Sequence, residues 1–443
     1  MKINDLENKK IAIWGLGVEG KATLEVLKKR FPNKDVVIID DKNCPQEINK
    51  EGLNIFIMNQ IQNLDVIIRS PGVSIYKPEI IYAKKILKII VITEKTIFFS
   101  ELEGLKVKTI GITGTKGKTT TSTFCATLLQ KLGYKILLCG NMGVATIKLI
   151  DEAKKMDYVV VEMSSYQCSD LLSFPTLAIL LNLFPEHLQW HLSHQQYYED
   201  KSNLLKGAKY KIINGVNDNV LKYTENIENK IEFGTKKTIH WQNGFFYDEK
   251  KKLFSTKNMK LLGEHNYQNL CSILTVFKIL KIDFTKIKQE YFDNFDPIEH
   301  RLEIIKCNEI LFVNDSIATI PEATIACYNI FKDKNIYGIL GGFDRGQDYT
   351  NLAKNIISDN VKFITLLGQT APRIAEALTK YGFNNFLICG TLKVCFETLY
   401  NRAKEDKNSV IILSPASPSY DMYKNFEERG NEFKNFIKEL KKI

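Results

Sequence analysis

Short β-branched runs alternate with longer helix-forming stretches along most of the chain: Ile11–Ile13, Val36–Ile39, Val66–Ile68, Thr109–Ile112, Val159–Val161 and Ile179–Leu181. Apolar runs too short for a helix, each followed by an amphipathic stretch, are the signature of parallel α/β sheets. The rhythm resumes at Ile336–Leu340, Phe363–Leu367, Phe386–Cys389 and Val410–Leu413, which predicts a further α/β unit near the end. Between 230 and 260, Phe233-Gly234, Gly244-Phe-Phe-Tyr247 and Leu253-Phe254 read instead as hairpins, so a small antiparallel insertion is expected. A new strand and glycine-rich loop begin after Glu103-Gly104, and Pro disfavours helix at Asp296-Pro297. The pattern therefore divides the chain into 1–103, 104–297 and 298–443.

Composition narrows the class. The 443 residues are 44% hydrophobic and 25% charged, which suits packed globular domains and disfavours disorder. The net charge of +10 is spread along the chain without a basic block, so it reads as a solvated surface and not as a nucleic-acid stripe. The 9 cysteines are odd in number and form no Cys-x-x-Cys pair, which disfavours a disulfide framework and a thiolate zinc site. The start MKINDLENKK is polar, and no run reaches roughly 18 apolar residues. A cytoplasmic protein without a membrane span is expected, and a monomer.

Two glycine-rich loops make different claims. Gly15-Leu-Gly17-Val-Glu-Gly20 follows a strand and opens a helical segment, with Asp40 at the end of the next strand. That is the dinucleotide fingerprint, in which glycines admit a pyrophosphate to a helix N-terminus and the acid accepts ribose hydroxyls. By itself it leaves open an NAD-dependent oxidoreductase, a nonredox nucleotide site, a nucleotide-regulated binding module or a structural turn. The second loop, Thr113-Gly114-Thr115-Lys116-Gly117-Lys118-Thr119-Thr120, joins an expected strand at 108–112 to an expected helix at 122–132. Its amides suit phosphates, Lys118 suits the terminal phosphate and Thr119 suits magnesium. The strict motif has glycine where this chain has Ile112, so it is a variant phosphate loop, and ATP is the expected ligand.

These residues stand in a recognisable order. After the phosphate loop come Val161-Glu-Met-Ser-Ser165, Leu262-Gly-Glu-His-Asn-Tyr-Gln-Asn269, His300-Arg301, Asn314-Asp-Ser316, Leu413-Ser-Pro-Ala416 and Lys424-Asn-Phe-Glu-Glu-Arg-Gly430. The set resembles the Mur ligase family over essentially the whole chain, and its closing segment resembles the glutamate-adding branch. The resemblance implies three domains: an N-terminal Rossmann-like domain for a UDP-linked substrate, a central ATPase domain with a parallel sheet, and a C-terminal Rossmann-like domain. It implies ATP-dependent joining of glutamate to UDP-N-acetylmuramoyl-L-alanine through an acyl phosphate, within peptidoglycan precursor synthesis.

By the same resemblance, Gly17, Val18, Glu19, Asp40, Lys42, Ser70, Gly72 and Asn141 contact the UDP substrate. Gly114 to Thr120, Asn269, Arg301 and Asp315 contact ATP. Two magnesium ions are held by Thr119, Glu162, His187 and Lys201, the last carbamylated by carbon dioxide into an anionic oxygen ligand. Carbamylation requires the neutral amine. Glu162 also has a reading from the residues alone: it ends a buried apolar strand, where a carboxylate needs a partner. On one helix, His187, His191 and His194 would lie near one face and suggest zinc, but the His-Glu-x-x-His pattern is absent. The resemblance uses His187 alone and leaves His191 and His194 as surface or packing residues.

Thr319, Ser419 and Phe426 match glutamate-contact positions. The D-glutamate ligases read Asp-Ser-Lys-Ala-Thr-Asn where this chain has Asp315-Ser-Ile317-Ala-Thr-Ile320. Such departures also resemble a sister group that adds L-glutamate, so D-glutamate is the default expectation and L-glutamate the alternative. Arg345, in Gly341-Gly-Phe-Asp-Arg-Gly346, is the candidate for the missing cation.

Overall fold

A computed structural model of the chain describes residues 1–40, 61–141, 144–185, 188–296, 298–357 and 360–440. Lys42, His187 and Pro297 lie outside the described residues. Two compact units are resolved, Met1–Met259 with Glu264–Phe295, and Lys260–Gly263 with Asp296–Ile443.

In the first unit, among the described residues, β1 (Ile11–Trp14), β2 (Val36–Ile39), β3 (Val66–Arg69) and β4 (Ile90–Ile92) form a parallel sheet in the order β2-β1-β3-β4. A second parallel sheet is built from β5 (Lys108–Thr113), β6 (Ile136–Gly140), β7 (Tyr158–Glu162), β8 (Leu177–Leu180), β9 (Tyr210–Asn214) and β10 (Lys230–Phe233). Its order is β10-β9-β8-β5-β7-β6. Every residue of β7 and β8 is buried, which is why these strands read as continuous apolar runs and not as alternating ones. One apolar cluster runs from Leu6 and Ile13 through Phe98 and Phe99 to Val161, Leu180 and Val220, so both sheets share a core.

The antiparallel insertion consists of β11 (Ile239–Gln242), β12 (Phe245–Asp248) and β13 (Lys251–Ser255). Phe233-Gly234 does not belong to it. Phe233 ends β10, which pairs parallel with β9 after the intervening helix Asp218–Tyr223, so the expectation of a hairpin there is corrected. A crossover helix lets the two strands run in the same direction, which a tight turn cannot do.

The second unit holds β14 (Glu303–Cys307), β15 (Ile310–Asn314), β16 (Asn335–Gly341), β17 (Val361–Leu367), β18 (Phe386–Ile388) and β19 (Ser409–Leu413). The order is β14-β15-β19-β16-β17-β18, parallel apart from the antiparallel edge strand β14. Apolar clusters cover both faces, one centred on Leu340, Leu352 and Ile374, the other on Phe312, Phe396 and Phe433. Among the described residues, no helix is long and apolar enough to cross a membrane.

Candidate active site

The phosphate loop leaves β5 at Thr113 and enters the helix Lys118–Lys131, four residues earlier than the expected start at 122. Gly117 is the N-cap at φ 82 and has no side chain with which to cap the helix. The first turn therefore presents its backbone amides and the positive end of the helix dipole to an anion. Glycine is required at Gly117 twice over, by its left-handed backbone and because a Cβ there would lie 2.1 Å from Nδ2 of Asn269. A Cβ on Gly114 would meet Leu181 Cβ at 2.9 Å, which explains how the loop closes tightly although Ile112 replaces the usual glycine.

Asn182, just beyond β8, clamps the loop. Its Oδ1 accepts from Lys116 N at 2.8 Å, and its Nδ2 donates to Lys116 O at 3.0 Å. The same Nδ2 lies 3.4 Å from Asn269 Oδ1. Thr115 Oγ1 receives Phe184 N at 3.0 Å and the Tyr197 hydroxyl at 3.2 Å. Lys118 Nζ donates to Gly114 O and Thr115 O, both at 3.0 Å, and Lys201 Nζ donates to Gly114 O at 2.8 Å. The loop is thus preorganised by side chains from three segments: its own Lys118, Asn182 beyond β8, and Tyr197 with Lys201 on the helix His194–Ser202.

Glu162 ends β7 beside the loop strand, with register Ile112↔Glu162. Its Oε1 accepts from Asn141 Nδ2 at 3.2 Å, while the buried Oε2 has no hydrogen-bond partner among the described residues. A buried carboxylate oxygen left so is costly unless a cation pairs with it, and the site therefore fits a divalent ion.

The histidines do not share one helix. His191 ends the short helix Leu188–His191, Leu192 takes φ 66, and His194 opens the helix His194–Ser202. His191 is fully buried and bonded at both ring nitrogens, to Asp200 Oδ2 at 2.6 Å and Ser165 Oγ at 2.9 Å.

Around the first glycine loop, Leu16 N donates to Asp40 Oδ2 at 2.9 Å and Ser70 Oγ donates to Gly15 O at 2.6 Å. A Cβ on Gly20 would sit 1.9 Å from Gly15 O, so this glycine serves the close packing of helix Val18–Arg30 on the loop. Val18 is exposed, and among the described residues no atom would crowd a Cβ on Gly17 or Gly72. Glu19 instead turns inward. Its Oε1 accepts from Lys95 Nζ at 3.2 Å and Gln167 Nε2 at 2.5 Å, and burial raises its pKa.

Arg69 holds the adjoining Ser70-Pro71-Gly72 turn. Its guanidinium pairs with Asp170 at 2.7 and 3.0 Å and donates to Val73 O at 2.6 Å. The sequence signal for it was a cation ending the apolar run Val66–Ile68, just as Asn182 ends the run Leu177–Leu181. Neither was singled out from the sequence.

In the first unit, the helix expected from Asn269 starts at Glu264, which puts Asn266 and Asn269 three residues apart on one face. In the second unit, Arg301 lies between His300 at φ 63 and Leu302 at φ 49. Asp315 is buried, accepts from Ser414 Oγ at 2.8 Å and Leu302 N at 3.2 Å, and is pushed by burial up to a pKa of about 7. Arg429 is also buried, and donates to Ser316 O, Ser417 O, Pro418 O and Gly341 O. Gly430 admits His300, whose Nδ1 would be 2.2 Å from a Cβ there. Together they explain the closing Arg-Gly: one residue pins three segments and the next makes room for a fourth.

Those loops bring Thr319, Ser419 and Arg345 into one region. Gln347 Nε2 donates to Thr319 O at 2.6 Å, Phe343 N donates to Pro418 O at 2.8 Å, and the Arg345 guanidinium lies 5.5 Å from the Tyr420 ring centre. Phe426, at the start of helix Phe426–Leu440, accepts from Ser316 Oγ through its carbonyl at 2.8 Å.

A phosphate loop on the carboxyl edge of a parallel sheet, next to a buried acid that ends the neighbouring strand, defines a nucleotide-using enzyme of the P-loop class. The family profile for the Mur ligase middle domain matches residues 112–277. The UDP-N-acetylmuramoylalanine–D-glutamate ligase of Fusobacterium nucleatum is 31% identical, with 97% of this chain and 99% of that protein covered. The UDP-N-acetylmuramoyl-L-alanine–L-glutamate ligase of Xanthomonas euvesicatoria is 30% identical, over 98% of this chain and 96% of the other. The crystal structure of UDP-N-acetylmuramate–alanine ligase from Thermotoga maritima superimposes with a TM-score of 0.59 at 16% identity, covering 98% of this chain and 100% of that one. This chain belongs to the Mur ligase family and is an ATP-dependent ligase that forms amide bonds. The oxidoreductase reading of the first glycine loop is thereby set aside.

Proposed function

We propose that the protein joins glutamate to UDP-N-acetylmuramoyl-L-alanine in the cytoplasm, as a step of peptidoglycan precursor synthesis, with D-glutamate the default substrate. Domains 1–103, 104–297 and 298–443 would hold the UDP acceptor, ATP and glutamate respectively. The single observation that carries the reading is the preorganised phosphate loop on β5 with, at the end of the paired strand β7, a buried Glu162 oxygen that has no hydrogen-bond partner among the described residues, within a chain similar along its length to glutamate ligases of both kinds.

A carboxylate does not condense with an amine in neutral water, so the acceptor's alanyl carboxylate must first be activated by attack on the γ-phosphorus of ATP. The glutamate amine then displaces phosphate from the acyl phosphate. Both steps develop charge on oxygen, which Lys118 and the loop amides are placed to stabilise. Thr119, Glu162, His187 and a carbamylated Lys201 would hold two magnesium ions, which neutralise phosphoryl charge when bound. Gly17, Val18, Glu19, Asp40, Lys42, Ser70, Gly72 and Asn141 would contact the UDP acceptor. Asn269, Arg301 and Asp315 would contact ATP. Thr319, Ser419 and Phe426 would contact glutamate, with Arg345 as the cation for one of its carboxylates.

The test is phosphate release from ATP and magnesium in the presence of both substrates. Release should require UDP-N-acetylmuramoyl-L-alanine and glutamate together, and release without either would remove the reading. The second reading, L-glutamate, is favoured by Ile317 and Ile320 where D-glutamate ligases carry lysine and asparagine.

A further inference from the structure

One segment of the first unit grips both candidate sites. Towards the acceptor loop, Trp190 Nε1 donates to Pro71 O at 3.1 Å and Ser74 Oγ donates to Trp190 O at 3.0 Å. The Tyr76 hydroxyl sits 2.7 Å from both oxygens of Asp200. Towards the phosphate loop, the Tyr197 hydroxyl reaches Thr115 Oγ1 at 3.2 Å and Lys201 Nζ reaches Gly114 O at 2.8 Å. Tyr197, Asp200 and Lys201 stand on the single helix His194–Ser202. Successive helical residues point about 100° apart, so Asp200 faces Tyr76 while Lys201 faces Gly114.

Asp200 is itself over-determined. It is 4% exposed, and besides Tyr76 it receives His191 Nδ1 at 2.6 Å and Gln196 Nε2 at 3.3 Å. His191 passes the chain on to Ser165 Oγ at 2.9 Å, three residues after Glu162. The connectivity Ser165-His191-Asp200 is that of a hydrolytic triad, but Ser165 is only 3% exposed, so its hydroxyl is a structural link and not a nucleophile facing substrate. Burial and the Asp200 carboxylate hold the Tyr76 phenol well above its ordinary range, so it remains a donor. Buried polar chains of this kind are rigid when every member is satisfied, and displacing one member disturbs the rest.

We propose that Tyr76 and Asp200 are positioning residues that couple the acceptor site to the phosphate site, so that binding of the UDP acceptor strengthens binding of nucleotide. The proposal rests on the reading that Ser70 and Gly72 hold the UDP acceptor. Ordering of the Ser70–Tyr76 loop by its ligand would fix Asp200, and the helix would then hold Lys201 and Tyr197 against the phosphate loop. Among the described residues, Tyr76 to Asp200 is the side-chain hydrogen bond that runs from this loop directly to the helix bearing Lys201. By linkage the effect must be reciprocal.

The test is calorimetric titration of the full chain with ADP and magnesium, with and without saturating UDP-N-acetylmuramoyl-L-alanine, and the reverse titration. Wild type should bind ADP at least roughly fivefold more tightly when the acceptor is present. Tyr76→Phe, which keeps the ring and removes one hydroxyl, should bring that ratio close to one while leaving each separate affinity within about twofold of wild type. Asp200→Asn should reduce the ratio in the same direction. Full coupling in both variants, or no coupling in wild type, overturns the proposal. So does a Tyr76→Phe protein that loses acceptor affinity with its coupling intact, since Tyr76 would then be a plain contact. Wild-type protein that does not bind the acceptor at all would overturn the functional reading as well.

Discussion

Lys118 and Lys201 meet on one acceptor: both ammonium groups donate to the carbonyl oxygen of Gly114, at 3.0 and 2.8 Å. They lie 83 residues apart in the numbering, one on the helix after the phosphate loop and the other on the helix His194–Ser202. Carbamylation of Lys201 would replace one of these two ammonium groups by an anionic oxygen ligand, whereas Lys118 would keep its charge, so the two lysines have separable consequences.

Lys118→Ala should lower kcat by at least roughly a hundredfold, because the ammonium acts chiefly on phosphoryl charge. Binding of the UDP acceptor, measured by calorimetry, should persist. Near-normal turnover of this variant would show that the phosphate site has been misplaced.

Lys201 should behave differently. If it is carbamylated, wild-type activity should fall when carbon dioxide is stripped from the buffer and return with bicarbonate, and Lys201→Ala should regain activity with added small carboxylates. An unmodified structural lysine would respond to neither treatment, and full activity of Lys201→Ala without additive would exclude a role as ligand.

Asp315 carries a pH dependence whose sign follows from its burial. With its pKa pushed up to about 7 in the folded state and an unfolded value of about 3.9, the folded protein binds the extra proton in between. The stability linked to this group is fully present below the unfolded pKa and is lost as pH rises through the folded one. Asp315→Asn should therefore gain stability relative to wild type as pH is raised from about 4 to about 7, in denaturant titrations at each pH. Parallel pH profiles for the two proteins would contradict the raised pKa.

The choice of glutamate enantiomer has to come from geometry, since both forms carry the same groups. With the amine fixed for attack, inverting the α-carbon sends the side-chain carboxylate toward a different wall, and an unpaired buried carboxylate costs several kcal/mol. We expect kcat/KM to favour D-glutamate. A ratio above ~100 for L-glutamate, roughly 2.7 kcal/mol, would reverse the assignment. Arg345→Ala should raise KM for glutamate at least tenfold while sparing KM for ATP, the pattern expected for loss of about 1.4 kcal/mol at a charged contact.

The sequence by itself determined the strand pattern and the phosphate loop. Tyr158–Glu162 and Val410–Leu413 were legible because a strand buried on both faces must be apolar throughout, and that demand is written locally. Lys118 and Glu162 were legible because a glycine-rich junction and an acid ending an apolar run are themselves local signals. Only the tertiary structure decided what depends on partners distant in the chain. Phe233 pairs with Asn214 in a parallel edge strand instead of turning into a hairpin, because strand direction depends on the intervening helix. His191, which the sequence pattern set on one helix face with His194, is a buried link between Ser165 and Asp200, and Leu192 at φ 66 separates the helices that carry the two histidines. Asn182, Arg69 and Arg429 gained their roles the same way. A side chain's hydrogen-bonding capacity is fixed by its type, but which backbone groups it must satisfy is settled only when the chain has folded around it.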